Sequence, residues 1–279
     1  MSSVRERIAR EVSWLAALAC VACGSARAEL PAPGSERVLR VCADPNNLPL
    51  SDRARAGFED ELALLMAREL GARLEHVYRA QRRGFFRNTL GAGRCDAVMG
   101  VPIGLEHVRA TRPYYTARYA FVTRRDRALD VRSLGDPRLA RLRVGIHVVG
   151  DESASTPPAI ALARRGIVGN VVGFNLYGDY AQPSPPTVIL RAVQSGAIDA
   201  ALIWAPLAAD AAPELAVQPV AEVRDGAIPF EFAIGMGVRK DDAALQRELD
   251  AIIERSTGAI EAILSRHRVP HQPARKEAR

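Results

Sequence analysis

Polar residues that could bind a ligand follow the first buried strand that the sequence predicts. The run RVLRVCAD is apolar enough for such a strand, and Asp44, Asn46 and Asn47 end it and follow it. Their carboxylate and amide groups could face a binding cleft, or they could close a turn, since Asp, Asn and Pro commonly do so. We interpret them as cleft residues, with the turn as the alternative.

A histidine near two acids follows a later predicted strand. His147, Asp151 and Glu152 are close together in the sequence, and His, Asp and Glu are residue types that bind metals. No second His or Cys lies at ligand spacing. We therefore predict no metal site, and we expect His147 and Asp151 to have hydrogen-bonding or structural roles at the cleft.

The sequence contains no catalytic motif. GxSxG, HExxH, GxxxxGK followed by Ser or Thr, and the dinucleotide fingerprint are all absent. The one acid and base pair that the predicted loops could bring together is Asp44 with Glu152. We predict that the chain is not an enzyme.

The N-terminal segment has the order of a secretory signal peptide. Basic residues precede the apolar run VSWLAALACVAC, and ARA follows at 26–28. This pattern predicts a signal peptide over residues 1–28 and export to the periplasm, with an uncleaved anchor as the alternative. The CxxC formed by Cys20 and Cys23 would be lost with the signal peptide.

Two cysteines remain after residue 28. An even number in an oxidising compartment predicts one disulfide, between Cys42 and Cys95. They lie on the first and third predicted strands, and neighbouring strands are about 4.8 Å apart, within the reach of a disulfide. Two buried free thiols are the alternative.

The charge of the chain is mildly basic. The formal net charge is +6 for all 279 residues, and the basic residues do not alternate with aromatic ones. This composition argues against nucleic-acid binding. The densest basic stretch is RAQRRGFFR, in which Arg82 and Arg83 could hold an acidic partner because guanidinium groups pair with carboxylates. The alternative is a solvated start of a helix.

The elements that position these residues alternate between strands and helices. RVLRVCAD, GFEDELALLMARELGA, RLEHVYR, GFFRNTLGAG and CDAVMGVP predict a β-α-β-α-β order. The order repeats through LRVGIHVVG, PPAIALARRGI, GNVVGFN, PPTVILRAVQSGAI and DAALIWAP. Such alternation predicts an α/β protein with mostly parallel sheets and with binding loops at the carboxyl ends of the strands.

A long amphipathic helix is predicted after the strand PFEFAIGMGVRK. If it packs on the first repeat, the chain crosses twice between two lobes, near 122–126 and 224–231. The predicted domains are then lobe 1 at 29–123 plus 229–268, lobe 2 at 124–228, and a disordered tail at 269–279.

Two lobes with two crossings resemble the type II periplasmic solute-binding fold. A narrower resemblance rests on seven segments: RVCADPNNLPLS, GFEDELALLMARELGA, QRRGFFRNTLGAGRCDAVMGVP, TRPYYTARYAFV, TPPAIALARRGI, YGDY and AVQSGAIDAALIWAPLA. Together these segments carry a resemblance to the MxaJ and XoxJ family. It covers residues 38–269.

The family resemblance implies a role beside a quinoprotein methanol dehydrogenase, in its maturation, assembly or activity. The implied partner would contain pyrroloquinoline quinone (PQQ) with calcium or a lanthanide, and this chain would bind no cofactor. The alternative is a conventional solute receptor of an ABC transporter for a small ligand that is not an amino acid.

Residues of the predicted cleft differ from those of amino-acid receptors with this fold. Those proteins hold the substrate carboxylate with an Arg, where Gly104 stands here, and the ammonium with an Asp, where Trp204 stands here. A small shift of the alignment would bring Arg109 or Arg112 to the first position. We expect a cleft that does not select α-amino acids, since a buried unpaired charge is costly.

Further cleft candidates lie at strand ends. Pro102 follows the third strand, and Tyr114 or Tyr115 could face the cleft at the entrance of the next extended segment. Trp204 could be a stacking platform there or a core residue of a lobe.

Overall fold

The computed structural model describes residues 36–149, 156–176 and 184–274. The predicted signal peptide at 1–28, with Cys20 and Cys23, lies outside the described residues, and so do the loop residues Asp151 and Glu152.

Strands and helices alternate along most of the described chain. The strands are β1 (Val38–Ala43), β2 (Asn46–Asn47), β3 (Ser51–Asp52), β4 (Arg73–Tyr78), β5 (Ala97–Pro102), β6 (Arg109–Ala110), β7 (Tyr115–Arg124), β8 (Val144–Val148), β9 (Val171–Asn175), β10 (Ala200–Trp204), β11 (Leu215–Pro219), β12 (Arg224–Asp225), β13 (Ile228–Pro229), β14 (Glu231–Val238) and β15 (Gln272–Pro273). The helices are α1 (Phe58–Glu69), α2 (Phe85–Asn88), α3 (Pro157–Arg164), α4 (Val188–Gln194), α5 (Ala243–Arg255) and α6 (Thr257–Arg266).

The main sheet consists of two parallel groups joined by antiparallel strands. Its order is β4-β1-β5-β14-β7-β10-β8-β9. In the first group β1 pairs in parallel with β4 and β5, and in the second β8 pairs in parallel with β10 and β9. The predicted α/β class with two mostly parallel sheets is confirmed.

Strand β7 takes part in both groups. Its first residues, from Tyr115 to Arg118, pair with β14, and its later residues, from Tyr119 to Thr123, pair with β10. The carboxyl end of β10 lies at this shared strand, where Trp204 pairs with Tyr119. The predicted limits of the two lobes stay a prediction.

Helices α1, α5 and α6 cover the first parallel group. Apolar residues of α1, among them Phe58, Leu62 and Met66, share one core with residues of α5 and α6. The helical pair therefore packs on the first repeat, and its predicted apolar side is buried: Leu245, Leu249, Ile252, Ile253, Ile260 and Ile263.

Two predicted helices differ from the structure. The single long helix is broken at Ser256, where the hydroxyl of Thr257 donates hydrogen bonds to the carbonyls of Ile253 and Glu254. Hydroxyl side chains that bond back to the preceding turn bend or end helices. The helix predicted in GFFRNTLGAG is limited to α2, because Gly84 is left-handed at its start and Thr89 leaves helical geometry at its end.

Helices α3 and α4 cover the two faces of the second parallel group. Ala161 and Leu162 of α3 pack in one buried cluster, and Ile189 and Val193 of α4 pack in another. Proline occupies the first turn of α3, as the sequence predicts, because its missing N–H group needs no partner there. These helices fix the strand ends that carry His147 and Trp204.

Candidate functional site

Asp44 organises the loop that follows β1. Its Oδ1 accepts a hydrogen bond from the Asn46 amide at 2.9 Å, and its Oδ2 accepts one from the Gln81 amide at 2.7 Å. The Ser51 hydroxyl donates to the Asp44 carbonyl at 3.0 Å. The side chain is 4% exposed, so Asp44 holds the turn together and fixes the segment after β4 to it.

Asn46 connects this loop to the second repeat. Its Oδ1 accepts a hydrogen bond at 2.9 Å from the backbone amide of Ser184, which stands 138 positions later in the chain. Leu50, from the same loop, packs against the apolar clusters of both parallel groups. The loop after β1 therefore joins the two lobes.

Asn47 faces the first repeat. Its Nδ2 donates to Gln81 Oε1 at 3.2 Å, and the residue is 3% exposed. Asp44 and Asn47 thus both bind Gln81. The sequence gives no reason to expect a role for this residue. The turn interpretation accounts for the hydrogen bond between Asp44 and the Asn46 amide, while Asn46 itself reaches the junction between the lobes.

An aromatic group fills the part of this junction near β7, β10 and β14. The Trp204 ring lies 5.6 Å from the Tyr119 ring and 5.6 Å from the Phe232 ring, both in edge-to-face geometry. Tyr119 also contacts Phe230 at 5.3 Å. Trp204 is half-buried and packs against the cores of both parallel groups, so it is at once a core residue and a residue of the junction.

The other candidates at strand ends are more buried than Trp204, or are paired within the sheet. Tyr114 and Tyr115 are 6% and 1% exposed and belong to the core under α1. The Tyr114 hydroxyl oxygen accepts a hydrogen bond from the Gly100 amide at 2.9 Å, so its polar end is used inside that core. Pro102 is half-buried and pairs with Ile234 on β14.

Glu59, which the sequence does not single out, is buried beside Tyr114. Within the described residues its Oε1 has no hydrogen-bond partner. A side chain at Gly100, whose φ is +67°, would meet this oxygen. Burial, and then the charge of Asp60, raise the pKa of Glu59 to about 8, so the carboxyl is neutral at pH 7. In the sequence Glu59 looks like an ordinary acid in the first turn of a helix.

His147 is a buried residue of the second repeat. It is 5% exposed, and its Nε2 lies 2.9 Å from the Pro186 carbonyl, to which the neutral ring donates. Burial lowers its pKa to about 4. The hydrogen-bonding role predicted for His147 matches this geometry, while Asp151 lies outside the described residues.

Arg109 and Arg112 could each take the place of the arginine that holds a substrate carboxylate, but both bind other groups of this protein. Arg109 Nε donates to the Lys240 carbonyl at 2.8 Å, and Arg112 pairs with Glu254 on α5 at 2.7 Å. Gly104 has a φ of +91°, a conformation that an arginine would adopt only with strain. The junction therefore has neither an arginine from this strand end nor, at Trp204, a carboxylate.

Cys42 and Cys95 form a disulfide with a Cα–Cα distance of 5.6 Å, which confirms the prediction. The bond lies in a small apolar cluster with Phe85, between β1 and the start of β5. Arg82 and Arg83 are exposed on the segment that this cluster supports.

A cavity of about 430 Å³ lies between α1, β4 and the end of α6. It is lined by Asp60 and His76, whose side chains approach to 3.0 Å, and by His267. None of the predicted site residues lines it. Within the described ranges, no group of three or more His, Cys, Asp and Glu residues could hold a metal ion, and no helix is long and apolar enough to cross a membrane.

The arrangement of two α/β lobes that share strand β7 defines a class of protein. A crystal structure of MxaJ from Methlophaga aminisulfidivorans superposes with a TM-score of 0.72 at 29% identity, over 84% of this chain and 99% of that one. XoxJ from Methylobacterium extorquens, described as a periplasmic binding protein, gives 0.68 at 30% identity, over 84% and 98%. An ancestral cationic amino acid solute-binding protein gives 0.64 at 22% identity, over 82% of this chain and 94% of that one, which shows the fold alone. The chain has the type II periplasmic binding protein fold.

Sequence relatives narrow the assignment. The protein MoxJ of Methylorubrum extorquens is 32% identical in an alignment of 251 residues, and the match covers 84% of this chain and 82% of that protein. MoxJ of Paracoccus denitrificans is 30% identical in an alignment of 272 residues, and the match covers 90% of this chain and 97% of that protein. No family profile matches the chain. The chain belongs to the family of MoxJ, MxaJ and XoxJ proteins, as the sequence predicts.

Proposed function

We propose that this chain is a periplasmic accessory protein that supports the maturation, assembly or activity of a PQQ-dependent alcohol (methanol) dehydrogenase. The proposal rests on membership of the MoxJ family over most of the chain, together with the chemistry of the junction between the lobes. The chain itself is proposed to carry no cofactor and to catalyse no reaction.

The observation that carries the proposal is that, in the part of the chain that the structure describes, Gly104 and Trp204 stand where amino-acid receptors of this fold have an Arg and an Asp. Gly104 stands in a left-handed conformation, Arg112 pairs with Glu254, and Trp204 packs against aromatic rings. A zwitterion bound here would lose its hydration without gaining charged partners, which costs several kcal/mol per ion. An amino-acid receptor needs the opposite arrangement.

The polar loop supports the same proposal. Asp44 uses both carboxylate oxygens on backbone amides, and Asn46 binds Ser184 across the junction. A ligand that entered here would have to replace these bonds. The protein would then work by binding a partner protein through its outer surface.

A pull-down from periplasm tests the proposal. Residues 29–279 serve as bait at about 50 mM and about 300 mM salt, and the recovered proteins are identified by mass spectrometry. Recovery of a quinoprotein alcohol dehydrogenase is the expected result. Recovery of a transporter permease without a dehydrogenase, together with a small ligand that raises the melting temperature, would replace the proposal by a solute receptor.

A further inference from the structure

The segment between β4 and β5 is strongly basic. It carries five arginines, and no Asp or Glu occurs between Glu75 and Asp96. All five side chains are exposed, and together we call them the arginine surface: Arg79, Arg82, Arg83, Arg87 and Arg94.

The acids that flank this segment are already engaged or lie apart. Asp96 binds Arg40 at 2.8 Å and Arg239 at 3.1 Å. Glu75 lies on β4 and faces Arg73 at 3.8 Å. Arg79, Arg87 and Arg94 therefore add exposed basic charge to a segment that has no acid of its own.

The arginine surface is held by a rigid support. The disulfide between Cys42 and Cys95 ties the end of the segment to β1, and Phe85 is 5% exposed beneath it. The Thr89 hydroxyl donates to the Phe85 carbonyl at 2.6 Å, and the Arg94 amide donates to the Thr89 carbonyl at 3.0 Å. A fixed backbone lowers the entropy that is lost when the arginines bind a partner.

The chemistry of this surface favours a protein rich in carboxylates. Guanidinium groups bind carboxylates in bidentate geometry. The exposed large apolar side chains of the described chain lie elsewhere, at Leu64, Ile103, Val168, Val172 and Val223. The segment therefore offers neither an apolar face for a lipid bilayer nor exposed aromatic rings for stacking on bases.

We infer that the arginine surface is the docking site for an acidic face of the partner protein. This inference rests on the proposed function, because it takes the partner to be the dehydrogenase. It adds the location and the charge of the contact, which extend the predicted role of Arg82 and Arg83 to the whole segment.

Two variants with equal changes of charge test the inference. The first is Arg79→Gln, Arg87→Gln and Arg94→Gln, and it removes three charges from the arginine surface. The matched control is Arg68→Gln, Arg141→Gln and Arg247→Gln, which removes three charges from exposed arginines elsewhere. Melting temperatures that match the wild type establish that both variants fold.

The expected result is a Kd for the dehydrogenase that is about tenfold weaker in the first variant at about 50 mM salt, because each lost charged contact weakens binding severalfold at most. The control should stay within about twofold, and the difference should shrink at about 300 mM salt. Equal weakening of both variants, or of neither, would overturn the inference and leave the proposed function in place.

A second measurement separates the two failures. Retention on immobilised poly-glutamate reports affinity for carboxylates without any dehydrogenase. The first variant should elute at lower salt than the control. Identical elution of the two variants overturns the inference, whereas a shifted elution with no recovery of dehydrogenase supports the surface and contradicts only the proposed function.

Discussion

The buried carboxyl of Glu59 gives a quantitative test of the structure. Burial raises its pKa from 4.5 to about 8, so the folded chain holds a proton that the unfolded chain releases above pH 4.5. The contribution to stability is fully present below pH 4.5 and is lost as the pH rises toward 8. Over that whole interval the loss is about 5 kcal/mol, at about 1.4 kcal/mol per pH unit.

The part of this loss that falls above pH 6.5 is the cleanest to measure. Linkage gives a decrease of about 1.5 kcal/mol in the free energy of unfolding between pH 6.5 and 8 from Glu59 alone. The titration of His147, whose pKa is lowered to about 4, lies below this window. The groups that interact electrostatically with Glu59 are Asp60, Tyr114 and Tyr115, and the pKa of each tyrosine is raised above 10.

The perturbation is Glu59→Gln, which keeps the shape of the side chain and removes its titration. Urea denaturation at pH 6.5, 7 and 8 gives the free energy of unfolding of the variant and of the wild type. The wild type should lose about 1.5 kcal/mol more than the variant across these values. Glu106→Gln, at an exposed position, is the control and should follow the wild type. If the free energy of unfolding changes with pH by the same amount in the wild type and in Glu59→Gln, the Glu59 carboxyl is not buried in its neutral form.

Three further outcomes follow from the structure. Replacing both Cys42 and Cys95 by Ala should lower the free energy of unfolding in urea by about 4 kcal/mol, because the disulfide closes a loop with a sequence separation of 53; a loss below about 1 kcal/mol would contradict this. For His147 the lowered pKa means that stability is present above pH 6.5 and is lost as the pH falls to about 4. The loss is about 3 kcal/mol, and His147→Gln should abolish it when the free energy of unfolding is measured in urea at pH 6.5, 5.5 and 4.5. If the variant loses as much stability as the wild type over this range, the ring is protonated in the folded protein. Free amino acids at about 1 mM should leave the melting temperature unchanged, and a clear rise with any of them would contradict the expectation that the cleft does not select α-amino acids.

The sequence predicts most of the fold because its helices and strands have distinct periodicities. The apolar positions of α1, from Phe58 to Met66, are typical of a helix, and the short buried run that begins at Ala97 is typical of a parallel strand. The interruption of the last helix at Ser256 is harder to predict. It depends on whether the Thr257 hydroxyl bonds back to the carbonyls of the preceding turn. Apolar periodicity continues through the break, because α5 and α6 bury the same core.

The site is less predictable than the fold, for physical reasons that differ between residues. The disulfide follows from two cysteines on neighbouring strands. The burial of Tyr114 does not follow from its type, because a tyrosine at a strand entrance can face a cleft or a core equally well. Glu59 gives no signal at all, since an acid in the first turn of a helix is usually solvated and stabilises the helix dipole. Its burial depends on Gly100, which is distant in sequence.

The most direct test of the central proposal is the yield of active dehydrogenase in cells with and without this protein. Cells that express the quinoprotein dehydrogenase are compared with cells that lack only the chain described above, and with cells in which it is restored. The specific activity and the PQQ content of the purified dehydrogenase are measured. We expect both the yield and the activity to fall severalfold without the chain and to recover when it is restored. Unchanged yield, activity and PQQ content would contradict an accessory role.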